Sequence, residues 1–177
     1  MAVGRRGAAT ALCAVILMGA GPAAASAARG GEAVVCTGSE EGSADPSLGL
    51  LPRPTRITGR SAYTCTTAPG RSVRAEGHFE GFSPASSCIG TDAPAGVETI
   101  RYADGRTSVV RYGSASVLRV AGANAVRLHG EVTEGVGKGR PARRTVVTLA
   151  RSAAVECLAL MPVSHAPGGT QLEILPS

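Results

Sequence analysis

Apolar and polar residues alternate with a period of two along several segments, and turn residues separate these segments. In Ala125–Thr133, Val126, Leu128 and Val132 alternate with polar residues, which is typical of a strand that buries one face. Further strand-like segments lie at Glu32–Cys36, Arg56–Cys65, Ser72–Phe82, Ser116–Ala121, Arg144–Ala150, Ala154–Leu160 and Thr170–Leu175. Residues 28–177 contain no helical apolar stripe of ten residues or more. We therefore predict an all-β fold, a single antiparallel sandwich or barrel-like domain of about eight or nine short strands.

The clearest hairpin signal lies in Glu98–Tyr112, where Asp104 and Gly105 form a turn pair. A two-residue turn would divide the apolar residues between both faces of the hairpin. A three-residue loop ending at Gly105 pairs Tyr102 with Arg106 and gives the hairpin one apolar face. That face comprises Ile100, Tyr102, Val110 and Tyr112. We therefore predict the three-residue loop, with Gly105 left-handed beside a bulge.

Two segments lack this alternation and are predicted to be long loops. Ser39–Pro54 is rich in Ser, Glu, Gly and Pro, which indicates a loop or an irregular edge. Ser83–Gly96 is the second such segment. Loops are where a rigid β scaffold usually carries its recognition residues, so both are candidate binding surfaces.

The first 27 residues have the three parts of an export signal. Arg5 and Arg6 precede an apolar run from Ala8 to Ala20, and small residues follow up to Ala27. This run is shorter than the roughly 20 residues that a membrane span requires, so we favour cleavage over a retained anchor. We expect a signal peptide at 1–27 and a secreted, extracellular β domain at 28–177, without a membrane partner after cleavage.

Four cysteines remain after the predicted cleavage: Cys36, Cys65, Cys88 and Cys157. An even number in an exported chain predicts two disulfides, and the spacings exclude a CxxC metal or redox motif. Three pairings are possible. We favour Cys65–Cys88, which would link neighbouring strands, together with Cys36–Cys157, which would tie the early part of the chain to the late part.

The charge and the aromatic content argue against nucleic-acid binding. The predicted mature chain has sixteen basic and thirteen acidic residues, and the two signs are interspersed. It has five aromatic rings and no tryptophan, which leaves little for a stacking surface. The densest basic segment is 138–144, which we interpret as a solvated loop, with an anion site as the alternative.

Motifs of known catalytic and cofactor sites are missing from the sequence, including GxSxG, HExxH, the Walker loop and the EF-hand loop. His129 and Glu131 are the best candidate pair for a metal or for acid–base chemistry, because residues two apart on a strand share a face. A solvated polar face is the interpretation that we prefer for them. His78 is predicted on a strand surface and His165 in a loop. We expect no catalytic residues, no metal and no cofactor.

Several short segments are similar to one group of proteins: Val35–Ser39, Tyr63–Cys65, Tyr102–Ser108, Gly130–Gly135, Cys157-Leu158 and Gly169–Ile174. Together they resemble a loose family of small secreted actinobacterial proteins, most of them uncharacterised. In those proteins an aromatic residue, often tryptophan, precedes the turn, where this chain has Tyr102. The resemblance implies secretion and a β domain, and it brings no known active site.

Three functions follow as hypotheses. The first, which we favour, is a non-enzymatic extracellular module that binds an unidentified protein or the cell envelope through its loops. The second is a protease inhibitor that presents Leu50–Pro54, or the loop around Cys88, as a rigid segment. The third is a hydrolase with a deep pocket in which His78 or His129 meets a serine or a carboxylate.

Overall fold

The chain folds into a closed antiparallel β-barrel. The computed structural model describes residues 32–88, 90–92, 94–120, 123–149 and 163–176, so the predicted signal peptide lies outside the described residues. The described residues form β1 (Val34–Leu48), β2 (Arg53–Ala68), β3 (Arg71–Ser87), β4 (Gly90–Asp92), β5 (Ala95–Tyr102), β6 (Thr107–Val120), β7 (Ala123–Gly135), β8 (Pro141–Leu149) and β9 (Val163–Ile174). Within them, no helix is long and apolar enough to cross a membrane.

Closure of the barrel follows from the pairing of the first strand with the last. Eight of the described strands pair in chain order, and β9 completes the circle by pairing with β1. The short strand β4 lies outside this circle and pairs with the end of β3. A closed sheet has no unpaired edge, which explains why an antiparallel barrel is a stable arrangement for these strands. The predicted all-β antiparallel fold is confirmed, with a barrel rather than a sandwich.

Side chains of alternate residues point into the barrel. On β2, the buried residues Ser61, Tyr63 and Cys65 alternate with exposed neighbours, as the period of a strand requires. The predicted hairpin shows the same rule: Ile100, Tyr102, Val110 and Tyr112 are all buried. The Tyr102 amide donates to the Arg106 carbonyl at 2.9 Å, and Gly105 has a φ of 86°. The three-residue loop and the left-handed glycine are therefore confirmed.

The two ends of the barrel differ. At the end where β1 begins, the core is packed with apolar side chains around the Cys36–Cys65 bridge, and we call this the disulfide end. Its core includes Val34, Ile100, Val132, Leu172 and Ile174. The opposite end, where β1 ends and β2 begins, contains a cavity, and we call it the cavity end. Polar side chains occupy the middle of the barrel between them.

The predicted disulfide pairing is wrong. Cys36 and Cys65 bond to each other, which excludes both Cys65–Cys88 and Cys36–Cys157. The physical reason is register: Cys36 on β1 lies directly opposite Cys65 on β2, and both side chains point inward. Cys88 also belongs to a disulfide. Cys157 lies outside the described residues, as does the predicted strand Ala154–Leu160.

Most of the two predicted long loops is strand. β1 continues to Leu48, so only residues 49–52 connect it to β2. β3 continues to Ser87, and β4 occupies part of the remaining connection to β5. The prediction failed on β1 because its inward positions carry Glu40, Gly42 and Ala44, which produce no apolar alternation.

A disulfide map of the purified protein tests the register of β1 and β2. Digestion under non-reducing conditions should release a peptide pair joined through Cys36 and Cys65, because their strands are neighbours. Replacing both residues by alanine should lower the free energy of unfolding by about 3 kcal/mol in chemical denaturation. A map that joins Cys36 to Cys157 would contradict the register.

Candidate ligand-binding site

Three charged side chains meet in the middle of the barrel, and we call them the charge cluster: Glu40, Glu98 and Arg144. They come from β1, β5 and β8, and each occupies an inward position of its strand. Glu98 is fully buried, Arg144 is 1% exposed and Glu40 is 8% exposed. Charged side chains are almost never buried to this extent unless they are paired.

Arg144 joins the two carboxylates. Its Nη2 donates hydrogen bonds to Oε2 of Glu40 and, at 3.2 Å, to Oγ of Ser61. Its Nε lies 3.5 Å from Oε2 of Glu98 but has no hydrogen-bond partner among the described residues. The guanidinium carbon lies 4.8 Å from the centre of the Phe79 ring. The cation is thus compensated by two acids and stacked on an aromatic face.

Two tyrosines hold Glu98 in place. The Tyr63 hydroxyl donates to Oε1 of Glu98 at 2.9 Å, and the Tyr112 hydroxyl donates to Oε2 at 2.7 Å. The Tyr63 hydroxyl also lies 3.3 Å from Oγ1 of Thr170. Each carboxylate oxygen of Glu98 therefore has a buried donor, which offsets part of the cost of removing the charge from water.

Burial and the neighbouring charges shift the pKa values of the residues in and around the charge cluster. Burial raises the pKa of Glu40; Arg144 opposes this shift, and Glu98 adds to it. Burial, followed by the charge of Glu98, raises the pKa of both Tyr63 and Tyr112, so they remain hydrogen-bond donors. Burial acts to lower the pKa of Arg144, but the charge of Glu98 and the other neighbours raises it above its ordinary value. Arg144 therefore stays cationic.

Glycines make room for the large interior side chains. A Cβ atom at Gly59 would lie 2.6 Å from Oε1 of Glu40, and one at Gly77 would lie 2.7 Å from Oε1 of Glu98. Both contacts are shorter than real Cβ atoms make, so any larger residue would displace a carboxylate. The glycines at these two positions of the strands thus leave free the space that the charge cluster requires.

A cavity of about 200 Å³ lies between the charge cluster and the cavity end of the barrel. Glu40, Arg144 and Phe79 contribute to its lining. Apolar side chains form most of its walls: Ala44, Leu48, Ile57, Val117, Val126, Leu128, Val146 and Ala166. Small polar residues also border it, among them Ser43, Asn124, Thr148 and Ser164. Apolar walls with a few buried polar groups are typical of small-molecule sites.

The candidate residues from the sequence do not meet in this site. His129 and Glu131 share the outer face of β7, and both are exposed. His78 is exposed on β3 and lies 3.1 Å from Glu80. His165 is exposed on β9 and borders the cavity. The cavity lining thus includes His165, whereas His78 and His129 lie outside it. Among the described residues, no group of three metal-ligating side chains converges.

The interpretation of 138–144 as a solvated loop is wrong for its second half. β8 begins at Pro141, and Arg144 points into the barrel. Arg143 points outward and pairs with Glu173 at 3.5 Å. Arg140 donates to the carbonyls of Leu175 and Ile174. Three of the four basic residues of this segment, Arg140, Arg143 and Arg144, therefore make separate structural contacts.

The segment proposed for protease inhibition is a short connection at the cavity end. Leu51 in residues 49–52 is 82% exposed. The Gly49 carbonyl accepts a hydrogen bond of 3.0 Å from the Cys88 amide, which ties this connection to the end of β3. The five residues from Leu50 to Pro54 do not form one free loop, because Arg53 already begins β2.

Sequence reasoning missed the charge cluster, although one signal for it was present. The predicted hairpin places Ile100 and Tyr102 on the buried face, and Glu98 has the same parity. A glutamate on the apolar face of a strand predicts a buried carboxylate that needs a partner. No comparable signal marks Glu40 or Arg144, because their strands do not alternate apolar and polar residues.

Comparisons with known proteins identify no relative: no family model, no curated protein and no solved structure matches this chain.

Replacing Glu98 tests how much the charge cluster contributes to the free energy of unfolding. Glu98→Gln removes one of the two charges that compensate Arg144 and weakens the hydrogen bonds from both tyrosines. We expect the free energy of unfolding to fall by about 3–5 kcal/mol in chemical denaturation. The control is Glu131→Gln on the exposed face of β7, which should change it by less than about 0.5 kcal/mol. Equal small effects of the two variants would contradict the burial of a paired charge.

The raised pKa of Glu40 predicts a pH-dependent contribution to stability. A carboxyl whose folded-state pKa lies above its unfolded value of 4.5 favours the folded state at low pH. That contribution is lost as the pH rises through the folded-state pKa. Relative to Glu40→Gln, the wild-type protein should therefore lose stability as the pH rises from the unfolded-state value of 4.5 through the folded-state pKa of Glu40. Thermal unfolding of both proteins over a series of pH values measures this difference, and a difference independent of pH would contradict it.

Proposed function

We propose that this protein is a secreted, non-catalytic binding protein that holds a small amphipathic molecule inside its barrel. The observation that carries the proposal is the cavity of about 200 Å³, with apolar walls and with the buried charge cluster contributing to its lining. An eight-stranded barrel has an interior that side chains can fill or that can hold one small ligand. Here side chains fill the disulfide end, and space remains at the cavity end.

The chemistry of the lining supports an amphipathic ligand. Leu128, Val126 and Val146 offer apolar contact to a hydrocarbon or aromatic body. Glu40 and Arg144 offer polar contact to a head group at the inner end. Both polar side chains are held by hydrogen bonds before a ligand arrives, and such preorganisation reduces the ordering cost of binding.

The positions of the three histidines support binding without catalysis. His78 and His129 are exposed on outer strand faces, whereas the hydrolase hypothesis needs one of them in a deep pocket. His165 borders the cavity but is exposed, and it pairs in register with Ser43 on the adjacent strand β1. The charge cluster pairs its own groups with each other, which suits recognition of a ligand.

A small molecule is favoured over the partners expected from the sequence. A protein partner, a cell-envelope partner and an inhibited protease would all be bound through long loops. Residues 39–48 and 83–87 instead belong to strands, which removes most of the loop surface that those hypotheses used. The interior cavity offers a more specific recognition surface than the short connection at residues 49–52.

Titration with a neutral amphipathic probe tests the proposal. We expect 4-phenylbutan-1-ol to bind the secreted protein and to shift the NMR amide resonances of cavity-lining residues such as Val126 and Val146. Val146→Phe should weaken binding by about tenfold or more, because the larger side chain projects into the cavity.

The matched control is Val147→Phe, the same change one residue further along β8. Val147 is 42% exposed on the outer face, so this variant should bind the probe as the wild type does. Shifts confined to exposed loops, or equal losses in both variants, would refute binding inside the barrel.

A further inference from the structure

We propose that the ligand of the cavity carries a protonated amine, which binds Oε1 of Glu40. This inference rests on the proposed function and specifies the head group that the barrel recognises. Glu40 lines the cavity from β1, and it is more than nine-tenths buried. The ligand class is thus a small cation with an apolar body.

The first argument is the unused acceptor of Glu40. Its Oε2 accepts hydrogen bonds from Arg144 and, at 3.4 Å, from Ser61. Its Oε1 accepts no hydrogen bond from the described residues. It lies on the side of Gly42 and Gly59: a Cβ atom at Gly59 would be 2.6 Å from it, and one at Gly42 would be 4.0 Å away. Gly42 lines the cavity, so the open acceptor borders the space for a ligand.

The second argument is the charge balance of the cluster. Two glutamates share one arginine, and the two tyrosines that contact Glu98 are neutral donors. The cluster therefore lacks one positive charge when both acids are ionised. A buried carboxylate gains most from a charge-assisted hydrogen bond, so a cationic head is the ligand group that completes the cluster.

An anionic head fits this cluster poorly. Arg144 is 1% exposed, its Nη2 is occupied by Glu40 and Ser61, and Phe79 covers one face of its guanidinium. An anion that reached Arg144 would also approach the carboxylate of Glu40, and like charges repel in a buried site. Carboxylate and phosphate ligands are therefore disfavoured.

The walls and the volume of the cavity determine the polarity and the size of the ligand's body. Beyond Glu40 the walls are mostly aliphatic, which requires an apolar body and disfavours a polyamine with a second charge. A volume of about 200 Å³ corresponds to the space of roughly seven water molecules, so the body is small. An arylalkyl or short alkyl primary amine meets both conditions.

Three probes that share one body and differ in head group test the inference: 4-phenylbutylamine, 4-phenylbutan-1-ol and 4-phenylbutyrate. Affinities for the wild-type protein are measured by calorimetry near neutral pH. We expect the amine to bind at least about tenfold more tightly than the alcohol, and the carboxylate to bind most weakly. An alcohol or a carboxylate that binds as tightly as the amine would overturn the inference.

A pair of variants tests whether the amine is recognised by Glu40. Glu40→Gln should reduce the preference for the amine over the alcohol to below about threefold, because the charge at Oε1 is gone. Glu41→Gln, the adjacent and exposed glutamate of β1, should retain the preference of the wild type. Circular dichroism verifies that each variant is folded. The affinities of the wild-type protein for the three probes test the amine head group even if Glu40→Gln does not fold.

The outcomes separate this inference from the proposed function. Binding of the amine and the alcohol with equal affinity contradicts the amine head and leaves the small-molecule site intact. A protein that binds none of the three probes contradicts the proposed function itself.

Discussion

The arginine buried between two glutamates is the interaction on which the rest of this structure depends. A guanidinium that is 1% exposed is tolerable only with opposite charges in direct contact, and Glu40 and Glu98 supply them from two other strands. The interaction joins β1, β5 and β8, which are not sequential neighbours. It therefore acts across the barrel, where the hydrogen bonds of the sheet act only between adjacent strands.

Many residues of the sequence provide the hydrogen-bond donors or the space that the charge cluster needs. Tyr63 and Tyr112 supply the donors that Glu98 needs, and Gly59 and Gly77 leave the space that the carboxylates occupy. The polar middle separates a packed disulfide end from a cavity end with mostly apolar walls. A single barrel thus combines a rigid half with a half that can admit a ligand, and the charge cluster lies between them.

Sequence reasoning predicted those parts of the fold that bury an apolar face. The hairpin around Gly105 and the alternation of β7 were predicted because a single register makes one face apolar. The extent of β1 was not predictable in this way, since a strand that points Glu40 and Gly42 inward resembles a loop. The Cys36–Cys65 pairing depends on which strands are neighbours, and the order of strands in the barrel is a long-range property. The same limit hid the meeting of Glu40 with Arg144, which are 104 residues apart.

A double-mutant cycle between Glu98 and Arg144 tests the central claim most directly. Glu98→Gln, Arg144→Met and the double variant are compared with the wild type by chemical denaturation. If the buried pair is the constraint described, Arg144→Met leaves Glu98 without its cation, and Glu98→Gln leaves Arg144 with Glu40 alone. The double variant is then more stable than the sum of the two losses predicts. We expect a coupling energy of about 1–3 kcal/mol. Losses that add to within about 0.5 kcal/mol would show that the two residues act independently and would contradict the account.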